Sequence, residues 1–289
     1  FNNRLSGVFE WYQRNTNGML APGVQLPAVV GASAPYQNTA DMRTRGWELS
    51  LNWRDQIGKV GYRIGFNLSD YKSEIIKYDD NAATKLLSSY YPGQTLGEIW
   101  GYVVDGYYTV DDFVDTSSWQ LKEGVTSING YNVRPGDVKF KNLRDDDTST
   151  NVITSGDNTF DNPGDRKVIG NTTPRYQYGI NLGMNYAGFD LNVILQGTGK
   201  RDYWISNVLT FPMNGDNFVP LFEGLSDYWM PKDPDNGDWS AVNPNAKYPR
   251  IYGNRGNSGS NLRQSDKYLS DASYLRIKNI TLSYKLPKK

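Results

Sequence analysis

The residues with the clearest capacity for chemistry are aromatic and acidic side chains in the long segments between predicted strands. A Trp or Tyr ring can stack on the apolar face of a sugar, and a neighbouring carboxylate can accept hydrogen bonds from hydroxyl groups. For each such residue, packing inside a large loop or contact with a partner protein is the competing interpretation. If these segments bind sugar, the candidates are Trp100, Tyr102, Asp105, Tyr107, Trp119, Trp204, Trp229 and Trp239.

The composition excludes most catalytic and metal-binding chemistry. The chain has no His and no Cys, which removes the commonest general base and all thiolate ligands. Asp233 and Asp235 are carboxylates of the type that glycosidases use, but their spacing in the sequence does not define the required separation of the pair. We therefore expect no enzyme activity, no catalytic residue, no metal and no cofactor. The 31 basic and 31 acidic residues balance, so no charge pattern favours a nucleic-acid partner.

The elements that must position these side chains are β-strands with two different faces. From Leu5 to Arg14, and in five later segments, apolar residues alternate with polar ones, which is the period-2 pattern of a strand. The chain has 21 Tyr and 8 Trp but a hydrophobic fraction of only 38%, as expected when alternation dilutes the apolar residues of membrane strands. The residues predicted to face lipid are Phe9, Trp11, Trp47, Leu49, Leu51, Trp53, Tyr62, Ile64, Phe66, Leu68, Ile180, Leu182, Met184, Leu191, Val193, Leu195, Ile280, Leu282 and Tyr284.

Two short turns connect neighbouring strands. The segment 55–61 is predicted as one hairpin turn, and Ala187-Gly188 as a two-residue turn that pairs Tyr186 with Phe189. In the last strand the alternation slips by one residue near Lys278-Asn279, which predicts a β-bulge.

Short and long connections alternate along the chain, with predicted long loops at about 15–42, 73–174 and 200–273. Outer-membrane barrels place short turns on the periplasmic side and long loops outside. The predicted strands are long enough, since about 9 to 11 tilted residues cross a bilayer. We therefore predict an all-β fold, an antiparallel transmembrane β-barrel with long extracellular loops. The amides expected to line its wet lumen are Asn52, Asn67, Gln177, Asn181, Asn185, Asn192 and Gln196.

Other architectures explain part of the same pattern. A soluble antiparallel sheet also has one wet face, so a secreted or surface carbohydrate-binding β-sandwich stays open, as does a passive porin. Six strands are too few to close a membrane barrel, whose minimum is about eight. Each open edge group would cost several kcal/mol in lipid. We therefore expect residues 1–289 to be an incomplete barrel segment that continues beyond both ends.

Five sets of segments along nearly the whole chain have the form of family motifs. They are residues 5–16 followed by Met19-Leu20, the stretch from Asn38 to Leu49, the pair IWGY and DGYY at 99–108, the pair PGDVKF at 135–140 and DRKVIGNTTPRY at 165–176, and DASYLRIKNITLSY at 271–284. Each segment is a weak signal alone, but together and in this order they resemble the motifs of the SusC/RagA-type TonB-dependent outer-membrane transporters.

This resemblance implies that the chain is the C-terminal part of a barrel of about 22 strands in the bacterial outer membrane. In that family a plug domain and a closing strand, both absent from this chain, complete the barrel. A SusD-like surface lipoprotein covers it, and TonB energises release of the cargo into the periplasm. A neutral, amide-rich lumen suits a polar nutrient. We expect an oligosaccharide first and an oligopeptide second.

One segment departs from the family pattern. Many relatives carry an Asp-x-Asn-Gly-Asp-Gly run whose alternating oxygens suit calcium. Here the corresponding run, residues 142–147, reads Asn-Leu-Arg-Asp-Asp-Asp, with Arg at a ligand position and no Gly. We therefore predict a solvated turn at Asp145–Asp147 rather than a metal site.

Overall fold

The computed structural model describes residues 3–23, 26–31, 35–79, 86, 90–144, 151–206, 221–252 and 259–286. This part of the chain is all-β, as predicted. In it, no helix has the length and apolarity needed to cross a membrane. Single 3-10 turns lie at Ala28–Val30, Val110–Asp112, Glu223–Leu225, Pro234–Asn236 and Asp266–Tyr268. The strands are β1 (Leu5–Pro22), β2 (Tyr36–Ile57), β3 (Val60–Tyr78), β4 (Glu98–Tyr102), β5 (Val104–Tyr107), β6 (Ser127–Ile128), β7 (Val138–Phe140), β8 (Val152–Ile153), β9 (Arg166–Asn171), β10 (Arg175–Tyr186), β11 (Phe189–Lys200), β12 (Asp202–Trp204), β13 (Pro231–Asp233), β14 (Asp238–Ala241), β15 (Leu269–Asp271) and β16 (Tyr274–Tyr284).

The six longest strands form one antiparallel sheet in the order β1-β2-β3-β10-β11-β16. The predicted two-residue turn between β10 and β11 is confirmed, because Tyr186 pairs with Phe189. Ala187 and Gly188 have φ angles of 49° and 88°, the left-handed values of a tight hairpin turn. The hydrophobic pattern alone was therefore sufficient to fix this register.

The other predicted turn is narrower than the expected segment 55–61. Strands β2 and β3 pair as far as Ile57 and Val60, which leaves only Gly58-Lys59 at the turn. Asp55 pairs with Tyr62 in the ladder, and its carboxylate accepts a hydrogen bond from the Arg4 guanidinium at 2.9 Å. A polar residue at the end of a strand resembles a turn residue in the sequence, which is why the predicted turn is too wide.

The register aligns apolar residues into continuous rows on one face of the sheet. All the residues predicted for the lipid-facing stripe share this face through their cross-strand pairs. One row that crosses all six strands consists of Leu5, Trp53, Ile64, Leu182, Val193 and Ile280. A second row consists of Phe9, Leu49, Leu68, Tyr178, Gly197 and Leu275.

The opposite face carries the amides predicted for the lumen. One of its rows consists of Ser6, Asn52, Gly65, Asn181, Ile194 and Asn279. On the same face the Arg63 side chain crosses Gly183 and forms an ion pair with Asp190 at 3.2 Å. Gly183 leaves room for this crossing, because an added Cβ would come within 2.3 Å of the Arg63 side chain and displace it.

Bulges modify the sheet at both edges. Asn279 pairs with Ile194 and Ile277 with Leu195, so Lys278 is the extra residue and the predicted bulge is confirmed. In β1, register shifts on both sides of Met19 interrupt the pairing, which resumes at Leu20 and continues to Pro22. The connection between β1 and β2 is therefore shorter than the expected loop 15–42.

Among the described residues, β1 and β16 are each paired on one side only. These six strands form an open sheet, and the described part of the chain contains no closed barrel. Both faces of the sheet are largely exposed, so the main core lies elsewhere.

We call the described residues between β3 and β10 and between β11 and β16 the loop body. It is built from the antiparallel pairs β4–β9, β5–β7, β12–β15 and β13–β14 and the parallel pair β6–β8. In the β4–β9 pair, Glu98 lies opposite Asn171. The largest buried cluster of the loop body consists of Tyr102, Tyr108, Phe113, Ile128, Val133, Val138, Phe140 and Ile153.

The end of β3 joins the loop body through backbone hydrogen bonds. Ile75 N–H donates to the Gln94 carbonyl at 2.9 Å, and Leu96 N–H donates to the Ser73 carbonyl at 2.8 Å. Beside this junction, Asp70 forms an ion pair with Arg175 at the start of β10. The loop body is thus attached directly to the sheet.

Candidate functional site

A fully buried carboxylate, Asp137, connects three segments of the loop body. It accepts hydrogen bonds from the Arg134 backbone N–H at 2.8 Å, the Tyr252 hydroxyl at 2.5 Å and the Asn261 amide at 3.0 Å. Burial raises the pKa of Asp137, while the Tyr252 hydrogen bond and the positive charge of Arg250 oppose that rise. This network fixes segments that are more than a hundred residues apart in the sequence.

A second buried carboxylate, Asp165, holds the neighbouring segments. Its oxygens accept hydrogen bonds from the backbone N–H groups of Leu143 at 2.8 Å and Thr154 at 2.7 Å. The next residue, Arg166, donates to the carbonyls of Pro163 at 3.1 Å and Ser155 at 2.8 Å. The two acidic residues of the PGD and DR segments therefore organise the scaffold of the loop body.

On this scaffold lies a groove of about 670 Å³. Three of the sequence-predicted aromatic residues, Tyr107, Trp229 and Trp239, line it together. We call it the aromatic groove. Its remaining lining residues are Gly106, Thr109, Val110, Asp111, Ser240, Ala241, Pro244, Asn245 and Ala246.

Trp229 is held by close backbone packing and is only 2% exposed. Its six-membered ring lies against Gly136, where a Cβ would approach to 2.2 Å and where φ is +89°. Both the space and the backbone conformation therefore require glycine at this position of the PGD segment. The Trp229 backbone N–H donates to the Tyr248 carbonyl at 2.9 Å, so the main chain that carries this ring is also held in place.

Trp239 is half-buried and packs edge-to-face on Trp119, with ring centroids 5.0 Å apart. The Arg250 guanidinium lies 5.5 Å from the centre of the Trp239 ring, and that of Arg134 lies 5.4 Å from the centre of Trp119. Trp119 is thus a support for the groove rather than part of its lining.

Tyr107 is fixed at both its hydroxyl and its ring. The hydroxyl donates to the Ala246 carbonyl at 2.9 Å, and the Lys267 ammonium lies 4.5 Å from the ring centre. Burial raises the pKa of Tyr107 and lowers the pKa of Lys267, although Asp227 and Asp266 partly offset the change at Lys267. The Tyr107 hydroxyl therefore stays a hydrogen-bond donor at neutral pH.

The structure places the other predicted residues outside the groove. Tyr102 lies in the main core at 5.3 Å from Phe140, measured between ring centroids. Trp100 is buried, and its indole N–H donates to the Tyr91 hydroxyl at 3.0 Å. Asp105 is exposed beside Lys141, and Trp204 packs against a separate cluster. For Trp100, Tyr102 and Trp204, the structure thus agrees with the packing interpretation.

The polar residues of the groove were missed by the sequence reasoning. Thr109, Asp111, Ser240 and Asn245 are all exposed at its rim. None belongs to a recognisable motif, and only the three-dimensional pairing of segments 106–111 and 239–246 identifies them. Asp137 and Asp165 could have been identified from the sequence, because they belong to the PGD and DR segments.

Within the described ranges, no group of three acidic residues is arranged to hold a metal ion. The predicted solvated turn at Asp145–Asp147 lies outside the described residues.

Curated relatives match the chain over its whole length. TonB-dependent receptor P3 of Formosa agariphila is 27% identical over 303 residues, covering 100% of this chain and 26% of the relative. TonB-dependent receptors P26 and P39 of the same organism are 23% and 24% identical and cover 99% and 98% of this chain. The chain spans about a quarter of the length of these relatives. No protein-family model matches it.

Solved structures share the fold. The RagAB peptide importer in its closed-closed state aligns with a TM-score of 0.66 and 22% identity, covering 99% of this chain and 28% of that chain. The open-open state of the same importer aligns with a TM-score of 0.66 and 23% identity. At these identities the alignment supports the fold.

By name these relatives are receptors and importers rather than enzymes. TonB-dependent receptors are outer-membrane proteins, so the predicted localisation is confirmed. The chain resembles part of the TonB-dependent receptors along its whole length and shares the fold of the corresponding part of the RagAB importer, which confirms the resemblance found in its sequence motifs.

Proposed function

We propose that the chain forms part of the barrel wall and extracellular loops of an energised importer of polar nutrients. The observation that carries this proposal is the two-sided sheet, with apolar rows across all six strands on one face and amides on the other. In an outer-membrane barrel the apolar face contacts lipid and the polar face lines a wet lumen. The remaining strands, to a total of about 22, come from other parts of the transporter.

The apolar face also weighs against the β-sandwich alternative. In a sandwich this face packs on a second sheet about 10 Å away. In the described part of the chain, the apolar residues of the large sheet remain exposed, as Leu282 at 67% and Phe9 at 66% illustrate. Lipid is the solvent that suits such a surface.

Energised import would proceed as in the TonB-dependent receptors that the chain resembles. A plug domain would fill the barrel, TonB would act on the plug from the periplasm, and a SusD-like surface lipoprotein would close over the loop body. A passive porin would need neither TonB nor a lipoprotein.

The cargo we propose is an oligosaccharide. Asn and Gln side chains both donate and accept hydrogen bonds, so the polar face can match hydroxyl groups without selecting for charge. An oligopeptide is the second candidate, favoured by the fold shared with the RagAB peptide importer.

Fractionation of the natural protein tests the proposal. We expect a heat-modifiable species that needs detergent, is found in the outer membrane and copurifies with a lipoprotein. Recovery of the protein in the water-soluble fraction without detergent would overturn the proposal. Uptake that is unaffected by loss of TonB would overturn energised import and favour the porin.

A further inference from the structure

The aromatic groove has the form of a ligand site rather than a gap between loops. Its volume of about 670 Å³ lies within the roughly 300–1,000 Å³ of small-molecule sites. It combines aromatic walls with a few polar groups at the rim, which is the usual composition of such sites.

The aromatic walls are held in place before any ligand arrives. Gly136 supports Trp229, Trp119 supports Trp239, and the Ala246 carbonyl holds the Tyr107 hydroxyl. A fixed wall loses little conformational entropy on binding, so its contacts count more fully towards affinity.

The charges around the groove restrict the ligand class. Among the described residues that line it, Asp111 is the only charged one. Lys267 and Arg250 lie over the rings of Tyr107 and Trp239 and do not line the groove. No cation in the lining is therefore available to bind a sulfate, a uronate or a peptide carboxylate.

The polar rim suits hydroxyl groups. Among the described residues, no protein group hydrogen-bonds the side chains of Asn245 or Asp111. The Asn245 amide can donate and accept, and the Asp111 carboxylate can accept from hydroxyl groups.

We propose that the aromatic groove binds the sugar rings of an uncharged oligosaccharide. This inference rests on the proposed function and adds to it the place of binding and the charge of the cargo. The partly buried rings of Tyr107 and Trp239 provide apolar contact with the sugar, Trp229 is the buried base beneath them, and the rim provides hydrogen bonds.

The test is calorimetric titration of the full-length transporter in detergent with neutral gluco-, xylo-, manno- and galacto-hexasaccharides. Oligogalacturonate and hexaalanine are the contrasting probes. We expect at least one neutral hexasaccharide to bind and both contrasting probes to bind more weakly. The Trp239→Ala variant should weaken neutral binding about tenfold, as expected for loss of one aromatic contact. The control Trp204→Ala removes another half-buried Trp outside the groove and should change affinity less than about twofold.

A surface substitution covers the case in which Trp239→Ala misfolds. Asn245 is exposed, so Asn245→Lys should fold normally. It should weaken neutral binding and strengthen binding of oligogalacturonate. Failure of every neutral probe to bind, stronger binding of either contrasting probe, or unchanged affinity in both groove variants would overturn the inference. Outer-membrane location and TonB-dependent uptake, measured in the same cells, would still support the proposed function in those cases.

Discussion

The large sheet and the loop body distribute their apolar residues in opposite ways. In the sheet, Leu282 is 67% exposed, whereas Tyr108 and Phe140 in the loop body are 0% exposed. Water drives the second arrangement, because exposed apolar area is unfavourable there. In the proposed barrel, lipid would permit the first, because backbone groups and not apolar side chains must be shielded in a membrane. The two regions of the chain would then be adapted to two different solvents, and burial by itself identifies only the loop body.

The substitution with the largest expected effect should destabilise the loop body and leave the large sheet intact. Phe140→Ala removes a fully buried ring and should destabilise the loop body by about 3 to 5 kcal/mol. Hydrogen exchange should accelerate in β5 and β7 and stay unchanged in β10 and β11. The control Phe160→Ala, at a ring that is 50% exposed, should have a smaller effect. Equal acceleration in both regions would mean that they are not independent.

A charged residue on the proposed lipid-facing side should impair assembly of the large sheet and leave the loop body intact. Leu49→Arg would place a cation among the apolar rows, at a cost of about 2 to 4 kcal/mol at the bilayer midplane. We expect less assembled barrel in the outer membrane. Ser50→Arg is the matched control, since the next residue lies on the polar face and should assemble normally. Normal assembly of Leu49→Arg would contradict the assignment of this face to lipid.

The Asp137 network is polar and yet lies in the buried loop body. It therefore tests whether polar contacts, as well as apolar ones, stabilise that region. Asp137→Asn removes a buried acceptor and should cost about 1 to 3 kcal/mol, measured by hydrogen exchange around Val138. Because burial raises the Asp137 pKa, its contribution to stability is largest at low pH and falls as pH rises through the folded-state pKa. The stability difference between wild type and Asp137→Asn should therefore grow on acidification. A difference that shrinks would show that the pKa is lowered instead.

The smallest expected effect concerns the polar face of the sheet. Gly183→Ala would displace the Arg63 side chain and loosen its exposed ion pair with Asp190, a change of less than about 1 kcal/mol. Gly179→Ala is the matched control on the same face of β10, because its nearest heavy atom would be 3.8 Å away. Thermal unfolding should distinguish the two variants by a small margin. Identical unfolding temperatures would show that this ion pair adds nothing.

The sequence predicted the sheet well because its information is local. Alternation in β10 and β11 determined which residues face each other, including the pair Tyr186 and Phe189. It failed in β1 beyond Arg14, because residues 15–18 are all polar or glycine and the pairing is interrupted at Met19. The bulge at Lys278 was visible because strong alternation resumes after it.

The loop body could be predicted only in part because its contacts are distant in the sequence. The aromatic groove joins Tyr107 to Trp239, and no period or spacing connects them. The aromatic side chains of Tyr107, Trp229 and Trp239 were enough to predict these three lining residues from the sequence. The Asn245 side chain has no such signal, since an exposed amide in a loop is ordinary.

The pairing of Glu98 with Asn171 has a consequence for the order in which the chain assembles. Strands β3 and β10 are neighbours in the sheet, although their paired residues Ser69 and Gln177 are about a hundred positions apart. Once β4 and β9 have paired, the effective loop between those residues shrinks to about a third, which reduces the entropic cost of closure by roughly 1 kcal/mol. Early folding of the loop body would therefore turn a slow non-local pairing into a nearly local one.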